Sequence, residues 1–283
     1  MRVEKWQALG NDYLIVEESS LPFTLTAARV ALLCDRHAGA GADGVLELSK
    51  PDEDGFVARL RIFNPDGSEA EISGNGAREA IMYLRRSGWA STDRFSIQTR
   101  AGEIRAAITS ETTCTMDIGR ARVASADFPS GPPDGRGEVE GRRFQHVNVG
   151  NPQCVIHVPD RDELEGLDLA AIGPGIENSP LFPNRTNVSF FCELGPGEIR
   201  ARIFERGVGE TTASGTGATG AAVAYVLRGG ESPVTVRLDG GELTVDVDES
   251  MHVDLTGWAR PVWAGELSAE LMSELAGLLG WRR

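Results

Sequence analysis

The chain has 283 residues and a formal net charge of −14 at pH 7, with a pI of about 4.8. This acidic balance argues against sequence-independent binding to nucleic acid or to an anionic membrane. No stretch approaches the roughly 18 apolar residues of a membrane span, and the first residues lack the apolar core of a signal peptide. We therefore expect a cytoplasmic protein that is long enough for two domains.

The first half of the chain alternates strand and helix patterns. Apolar residues at every second position predict strands over residues 3–7, 13–17, 44–49, 58–63, 95–99, 104–108 and 114–118. Helical spacing predicts helices over residues 26–35 and 76–86.

The second half repeats this style. Strands are predicted over residues 147–149, 154–158, 187–193, 198–205, 234–238, 243–247 and 251–255. Helices are predicted over residues 167–172 and 216–228, and an amphipathic helix over 266–279. Residues 130–141 are rich in Gly, Pro and charge, so a solvated loop is expected there.

Two segments are copies of one another. Residues 61–77 read RIFNPDGSEAEISGNGA, and residues 202–218 read RIFERGVGETTASGTGA, at an offset of 141 positions. Gly10-Asn11 finds a weaker echo in Gly150-Asn151. A two-fold repeat predicts two similar halves that face each other across one site. We place the N-terminal domain at residues 1–118, joined by the C-terminal helix (265–283), and the second domain at residues 119–264.

Each copy ends in a serine, a glycine-rich turn and the start of a helix, at Ser73 and Ser214. Small residues before a helix N-terminus let backbone N–H groups bind an anion. One such loop is weak support, because a plain tight turn looks the same. Neither loop has the lysine of a nucleotide-binding phosphate loop. Two repeat-related loops therefore favour the carboxylate of a small amino acid.

Metal and thiol chemistry are not indicated. The four cysteines lack CxxC spacing and are expected to be reduced and mostly buried. The four histidines are scattered, without HxxxH or HExxH, so we expect no metal. The cysteines are Cys34, Cys114, Cys154 and Cys192, and the histidines are His37, His146, His157 and His252.

Six segments resemble the diaminopimelate epimerase family of cofactor-independent amino-acid racemases and epimerases. They are ALGNDY (8–13), DRHAGAGADG (35–44), RIFNPDGSEAEISGNGAR (61–78), VNVGNPQCV (147–155), PNRTNVSF (183–190) and IFERGVGETTASGTGA (203–218). The resemblance implies an α/β (α+β) fold of two pseudo-symmetric domains. Each would be a curved, mostly antiparallel sheet around a central helix, with the site in the cleft between them.

The resemblance also implies a mechanism. In the family, two thiols on opposite faces of the substrate α-carbon exchange its proton, and no cofactor such as pyridoxal phosphate is needed. Substrate-binding positions implied by the matched motifs are Asn11, Asn64, Gly74, Asn75, Asn151, Gln153, Asn187, Glu205, Arg206, Gly215 and Thr216. The implied partner is a small amino acid such as diaminopimelate, an intermediate of lysine biosynthesis, and a homodimer is an open possibility.

The catalytic positions depart from the family. Ser73 and Ser214 stand where the family has its two cysteines, and Gln153 stands where its motif has histidine. A thiol has a pKa near 8.5, whereas an alcohol is not deprotonated at pH 7 without an adjacent base. A helix dipole supplies only about 0.3–2 kcal/mol, too little to close that gap. Two-base epimerisation by the serines alone is therefore expected to be slow.

Three functions stay open on the sequence. The first is an isomerase that acts on the α-carbon of an amino acid. The second keeps the binding site but runs an elimination, a cyclisation or a double-bond isomerisation, with Glu205, Glu210 or a group of the substrate as the base. The third is a non-catalytic amino-acid binder. Deuterium entering the α-position of an amino acid separates the first from the third, and product analysis identifies the second.

Overall fold

A computed structural model describes residues 1–278. It divides into two compact units, one formed by Met1–Met116 with residues 258–278 and the other by Asp117–Gly257. The chain rejoins the N-terminal unit at Trp258 rather than at residue 265, because a strand over Arg260–Glu266 pairs antiparallel with the first strand. Residues 279–283 of the predicted C-terminal helix lie outside the described residues.

The N-terminal unit contains one mixed sheet and three helices. Its strands are β1 (Arg2–Ala8), β2 (Asn11–Glu17), β3 (Val45–Ser49), β4 (Ala58–Phe63), β5 (Glu69–Ala70), β6 (Arg94–Thr99), β7 (Gly102–Ile108), the start of β8 (Thr113–Arg120), and β18 (Arg260–Glu266). Its helices are α1 (Ala27–Cys34), α2 (Gly74–Arg86) and α6 (Ala269–Gly277), with a short 3₁₀ turn at Glu18–Ser20.

The sheet of this unit runs in the order β18, β1, β2, β3, β4, β6, β7, β8. The β2/β3 and β4/β6 pairs are parallel, and the other neighbours are antiparallel. The short strand β5 adds to β4. Helix α6 packs its leucines into the same core as α1, and Arg29 Nε donates to the Leu275 carbonyl at 2.7 Å.

The C-terminal unit has the same plan. Its strands are β9 (Arg136–Val139), β10 (Arg142–Asn148), β11 (Pro152–His157), β12 (Asn187–Gly195), β13 (Glu198–Glu205), β14 (Gly209–Thr211), β15 (Val234–Leu238), β16 (Gly241–Val247) and β17 (His252–Trp258). Its helices are α3 (Arg161–Gly166), α4 (Leu169–Glu177) and α5 (Gly215–Leu227).

Strand pairing repeats as well. The order is β9, β10, β11, β12, β13, β15, β16, β17, with β11/β12 and β13/β15 parallel and the rest antiparallel. The register matches: Leu14 pairs with Val45 and Val45 with Phe63, as Cys154 pairs with Val188 and Val188 with Phe204. This register makes Tyr13 the structural counterpart of Gln153, and Asn64 the counterpart of Glu205.

One long helix is buried within each unit. Helices α2 and α5 both have 13 residues, and nearly all their residues after the first turn are inaccessible to solvent. A helix that is buried on every side belongs to the core rather than the surface. Close packing of α5 depends on glycine, because a Cβ at Gly217 would lie 2.7 Å from the Ile203 side chain.

Some predicted elements were wrong. Residues 130–141 contain strand β9, whose residues pair with β10 although the segment is polar. Helix α4 extends to Glu177, beyond the predicted residue 172, because Pro174 is accommodated inside it. The strand over Arg260–Glu266 was not predicted. It contains Pro261, and none of its residues is fully buried, so its sequence lacks the alternation of apolar and polar residues that marks a strand.

No helix in residues 1–278 is long and apolar enough to cross a membrane.

Candidate functional site

Ser73 and Ser214 cap the two buried helices. Ser73 has φ −136° and ψ 119°, and its Oγ accepts a hydrogen bond from the Gly76 N–H at 3.1 Å. Ser214 has φ −134° and ψ 120°, and its Oγ accepts from the Gly217 N–H at 3.2 Å. Serine is among the best N-cap residues. The cap uses the N–H of the third helical residue, whereas the amides ahead of it have no intrahelical acceptor.

A chain of side-chain amides lies beside Ser73. The Asn11 Nδ2 donates to Asp43 Oδ2 at 3.0 Å, and the Asn11 Oδ1 accepts from Asn75 Nδ2 at 3.2 Å. The Asn75 Oδ1 in turn accepts from the guanidinium of Arg78, which is fully buried in α2. Asp43 and Arg78 thus orient two of the predicted binding residues. The sequence reasoning missed both, although Asp43 lies inside the matched segment at 35–44.

The C-terminal unit carries an equivalent chain. Gln153 is fully buried, and its Nε2 donates to Asn151 Oδ1 at 2.7 Å. Asn151 Nδ2 donates to Thr216 Oγ1 at 3.2 Å. Among the described residues, the Gln153 Oε1 has no hydrogen-bond partner. A buried acceptor without a donor is costly, so this oxygen is a candidate contact for a ligand N–H.

Glu205 adjoins Ser214. Burial raises the pKa of the Glu205 carboxyl, and a hydrogen bond with the Ser214 side chain offsets part of that rise. Glu205 ends strand β13 and Ser214 follows the short strand β14, which pairs with β13. The antiparallel turn therefore brings the carboxyl and the hydroxyl of one unit together. This gives Ser214 the adjacent base that an alcohol nucleophile or proton carrier needs.

Ser73 has a different neighbour. The Tyr13 hydroxyl lies 3.3 Å from the Ser73 Oγ. No sequence motif had singled out Tyr13 for chemistry. The register described above could have revealed it, because Tyr13 holds the place of Gln153.

Arg206 follows strand β13, and the predicted Asn187 begins strand β12. The Arg206 N–H donates to the Asn187 Oδ1 at 2.9 Å, and Asn187 Nδ2 donates to the Pro152 carbonyl at 3.1 Å. Asn187 is therefore committed to backbone and positions Arg206. The Arg206 guanidinium donates to the Asn184 carbonyl at 2.8 Å. Within residues 1–278 no carboxylate forms an ion pair with it, which leaves its other N–H groups for a ligand anion.

Asn64 is the N-terminal counterpart of Glu205. Its Nδ2 donates to Ser68 Oγ at 3.0 Å. The side chain is half-buried at the end of β4. Its carboxamide oxygen is not used in that bond and can accept from a ligand.

Glu210, the alternative base, is tied to an arginine. Its carboxylate lies 2.7 Å from Arg202 Nη2. The repeat-related Glu69 lies 2.9 Å from Arg61 Nη2 in the same way. The matched Arg and Glu of the repeat thus form a cross-strand ion pair in each unit, which indicates a structural role for Glu210.

None of the four cysteines replaces the missing thiols. All four are free and buried, as predicted. Burial raises the pKa of Cys34 and of Cys114 to about 12, and it raises the pKa of Cys154 and Cys192 as well. A thiol with a raised pKa stays protonated and is unreactive at neutral pH.

Other polar clusters do not involve the predicted site. Asp117, His252 and Asp254 present donor atoms within 4.8 Å of one another. Two of them already contact each other, because His252 Nε2 lies 3.1 Å from Asp117 Oδ1, which also accepts from the Gly119 N–H. We interpret this as a contact between a histidine and a carboxyl group. An open cleft of about 620 Å³ in the C-terminal unit is lined by arginines and a histidine, but by none of the predicted site residues.

Comparison with known proteins agrees with this architecture. The diaminopimelate epimerase family model matches residues 3–124 and 145–260. A diaminopimelate epimerase of Pelotomaculum thermopropionicum is 41% identical over 282 residues, covering 94% of this chain and 98% of that protein. One from Synechococcus sp. (strain JA-3-3Ab) is 40% identical over 274 residues, covering 92% of this chain and 96% of that protein.

The fold also matches a solved structure. A phenazine biosynthesis protein of the PhzF family from Bacillus anthracis superimposes with a TM-score of 0.69 at 18% identity, covering 95% of this chain and 99% of that one. The two-domain α/β architecture expected from the sequence is thereby confirmed. Together these likenesses define an isomerase. The chain belongs to the diaminopimelate epimerase family.

Proposed function

We propose that this isomerase acts at the α-carbon of an amino acid, with Ser214 and Glu205 as the proton-abstracting pair. The observation that carries the proposal is the pairing of β13 with β14, which places the Glu205 carboxyl, whose pKa burial raises, beside the Ser214 side chain. A carboxylate with a raised pKa is a stronger base than an exposed one. Glu205 then takes the Ser214 proton as Ser214 takes the α-proton, so no free alkoxide is formed.

The serine loops supply the anion sites. The substrate α-carboxylate binds N–H groups of Gly74, Asn75, Gly215 and Thr216 at the starts of α2 and α5. Support comes from the caps, in which the serine side chains bind the amides of Gly76 and Gly217, the third residues of their helices. Helix N-termini favour a negative charge, and the absence of lysine from both loops fits a carboxylate better than a polyphosphate.

The substrate ammonium binds beside Gln153. Its Oε1, unpartnered among the described residues, accepts one ammonium hydrogen bond, and Asn151, which accepts from the Gln153 Nε2, lies beside it. A glutamine cannot titrate, so its acceptor oxygen stays available to the amino group as long as that group is charged. This replaces a histidine at the matching family position, whose charge changes near neutral pH.

The far end of the substrate carries a second carboxylate. Arg206 offers a fork of N–H groups suited to a carboxylate, and Asn64 offers a carboxamide. This arrangement favours a dicarboxylic amino acid. The relatives' name makes diaminopimelate the first candidate substrate.

The test is exchange of the α-proton for deuterium in heavy water. Diaminopimelate stereoisomers and a panel of dicarboxylic and monocarboxylic amino acids are incubated with native protein, and the products are analysed by mass and chirality. Exchange with inversion is expected for a dicarboxylic substrate. A product of different mass or new unsaturation would instead identify the elimination or double-bond chemistry that a single base can also support.

Two matched variants locate the base. Glu205→Gln is expected to slow exchange by about 10²-fold or more, the usual contribution of a general base. Glu210→Gln, five positions along the chain with its carboxyl on Arg202, is expected to leave exchange within about twofold. Equal effects of the two variants, or no exchange with any amino acid, would remove the proposal.

A further inference from the structure

The two units hold different titratable groups at equivalent places. Tyr13 corresponds to Gln153 and Asn64 corresponds to Glu205, by the strand register. The N-terminal unit therefore has a phenol beside its serine and an amide at the strand end. The C-terminal unit has an amide, Gln153, in the place of Tyr13 and a carboxyl, Glu205, in the place of Asn64. The repeat supplies the same frame twice, while the proton-carrying groups differ.

Tyr13 is built into its position. The residue is only 6% exposed, and its ring lies against Gly44, the residue just before strand β3. A Cβ at Gly44 would come within 2.5 Å of the Tyr13 Cε1, so any larger residue would displace the ring. The glycine thus allows the ring to lie with its hydroxyl 3.3 Å from the Ser73 Oγ.

The hydrogen bonds at Ser73 leave its proton available. The Ser73 Oγ accepts from the Tyr13 hydroxyl and from the Gly76 N–H. These two bonds use both lone pairs of a hydroxyl oxygen. The Ser73 O–H is committed to neither bond and can point toward a substrate atom.

We propose that Tyr13 is the proton source behind Ser73, and this assignment rests on the proposed function. After Ser214 and Glu205 remove the α-proton, the Ser73 O–H bond breaks as a new C–H bond forms on the α-carbon. The Tyr13 O–H bond breaks at the same time and the Ser73 O–H bond re-forms. The negative charge of the carbanion therefore ends on the Tyr13 oxygen, and the abstracted proton is on Glu205.

Acidity explains why a phenol is needed. A tyrosine has an unperturbed pKa near 10. This value is much closer to the pKa of a thiol than the pKa of an aliphatic alcohol is. Without Tyr13, donation by Ser73 would leave an alkoxide. Exchange with water then returns one proton to Tyr13 and removes one from Glu205, so the enzyme is regenerated with no net gain or loss of protons.

The test separates exchange from inversion. In Tyr13→Phe the ring and its packing on Gly44 are retained and only the hydroxyl is lost. Inversion of the substrate is expected to fall by about 10²-fold, while deuterium still enters the isomer whose α-proton Ser214 and Glu205 remove. The control is Tyr83→Phe, which removes a hydroxyl that donates to Glu17 at 2.7 Å in the same unit. It should change neither rate.

A second readout does not depend on a variant's stability. The ratio of inversion to exchange, measured in one sample, cancels any loss of folded protein. It should fall in Tyr13→Phe and stay unchanged in Tyr83→Phe. An unchanged ratio of inversion to exchange in Tyr13→Phe would overturn the Tyr13 assignment alone. Native protein that exchanges no amino acid, or exchange unaffected by Glu205→Gln, would overturn the proposed function and the assignment with it.

Discussion

Glu79 should make the protein less stable as pH rises. It lies in the second turn of α2 and is fully buried, beside the backbone of Tyr13 and the guanidinium of Arg78. Burial raises the pKa of Glu79 well above its usual value, and this outweighs the attraction of the neighbouring Arg78 guanidinium. The folded state therefore holds a proton on Glu79 at a pH where the unfolded chain has lost it.

The sign and size of the effect follow from linkage. Because the folded pKa is raised, the stabilising effect is fully present below the unfolded pKa of about 4.3 and is lost as pH rises through the folded pKa. Within that window, each pH unit removes up to about 1.4 kcal/mol from the free energy of unfolding. Glu79→Gln keeps the shape of the side chain and removes the titration.

The assay is urea unfolding at a series of pH values, followed by the fluorescence of the five tryptophans. The free energy of unfolding of Glu79→Gln minus that of the native protein should be small near pH 4. It should increase with pH until the folded pKa is passed. Glu53→Gln, an exposed carboxyl of the same unit, should show a difference near zero throughout. A Glu79→Gln difference that is flat or decreases with pH would refute the reasoning.

Two further predictions concern the substrate. The double variant Ser73→Cys with Ser214→Cys should raise the rate of α-proton exchange of diaminopimelate in heavy water at least about tenfold, because thiols ionise near pH 8.5. Each lost serine cap should lower the free energy of unfolding by about 1 kcal/mol. Bound diaminopimelate that exchanges no faster in the double variant would contradict it. Arg206→Ala should weaken calorimetric binding of a dicarboxylic amino acid by about 1.5–3 kcal/mol and leave a monocarboxylic one nearly unchanged; equal losses would make Arg206 structural.

Local patterns were sufficient to predict the frame of each unit. Alternation located β4 and β13 within a residue, and the serine followed by glycines located the starts of α2 and α5. Elements that depend on tertiary contacts were not predictable in this way. Pro174 lies inside α4, and the polar strand β9 exists because it pairs with β10.

The partners of the site residues were also hidden from local reasoning. Asp43 orients Asn11 from 32 positions away, and Tyr13 meets Ser73 from 60 positions away. Such contacts depend on which strands are neighbours and in which register, which no window of sequence contains. The internal repeat gives part of this information. When the two halves are superposed by their strand register, Tyr13 takes the place of Gln153 and Asn64 takes the place of Glu205.

The serines are consistent with both a structural and a chemical role. As N-caps they stabilise α2 and α5 as well as any residue can, so a change from thiol to hydroxyl keeps each loop in its conformation. What it removes is acidity, and the groups next to the hydroxyls differ in just that property. A carboxyl with a raised pKa adjoins Ser214, whereas a phenol adjoins Ser73. If the serines served only as helix caps, neither would need an acidic neighbour. An amide side chain in place of Tyr13 and of Glu205 would then serve the fold equally well.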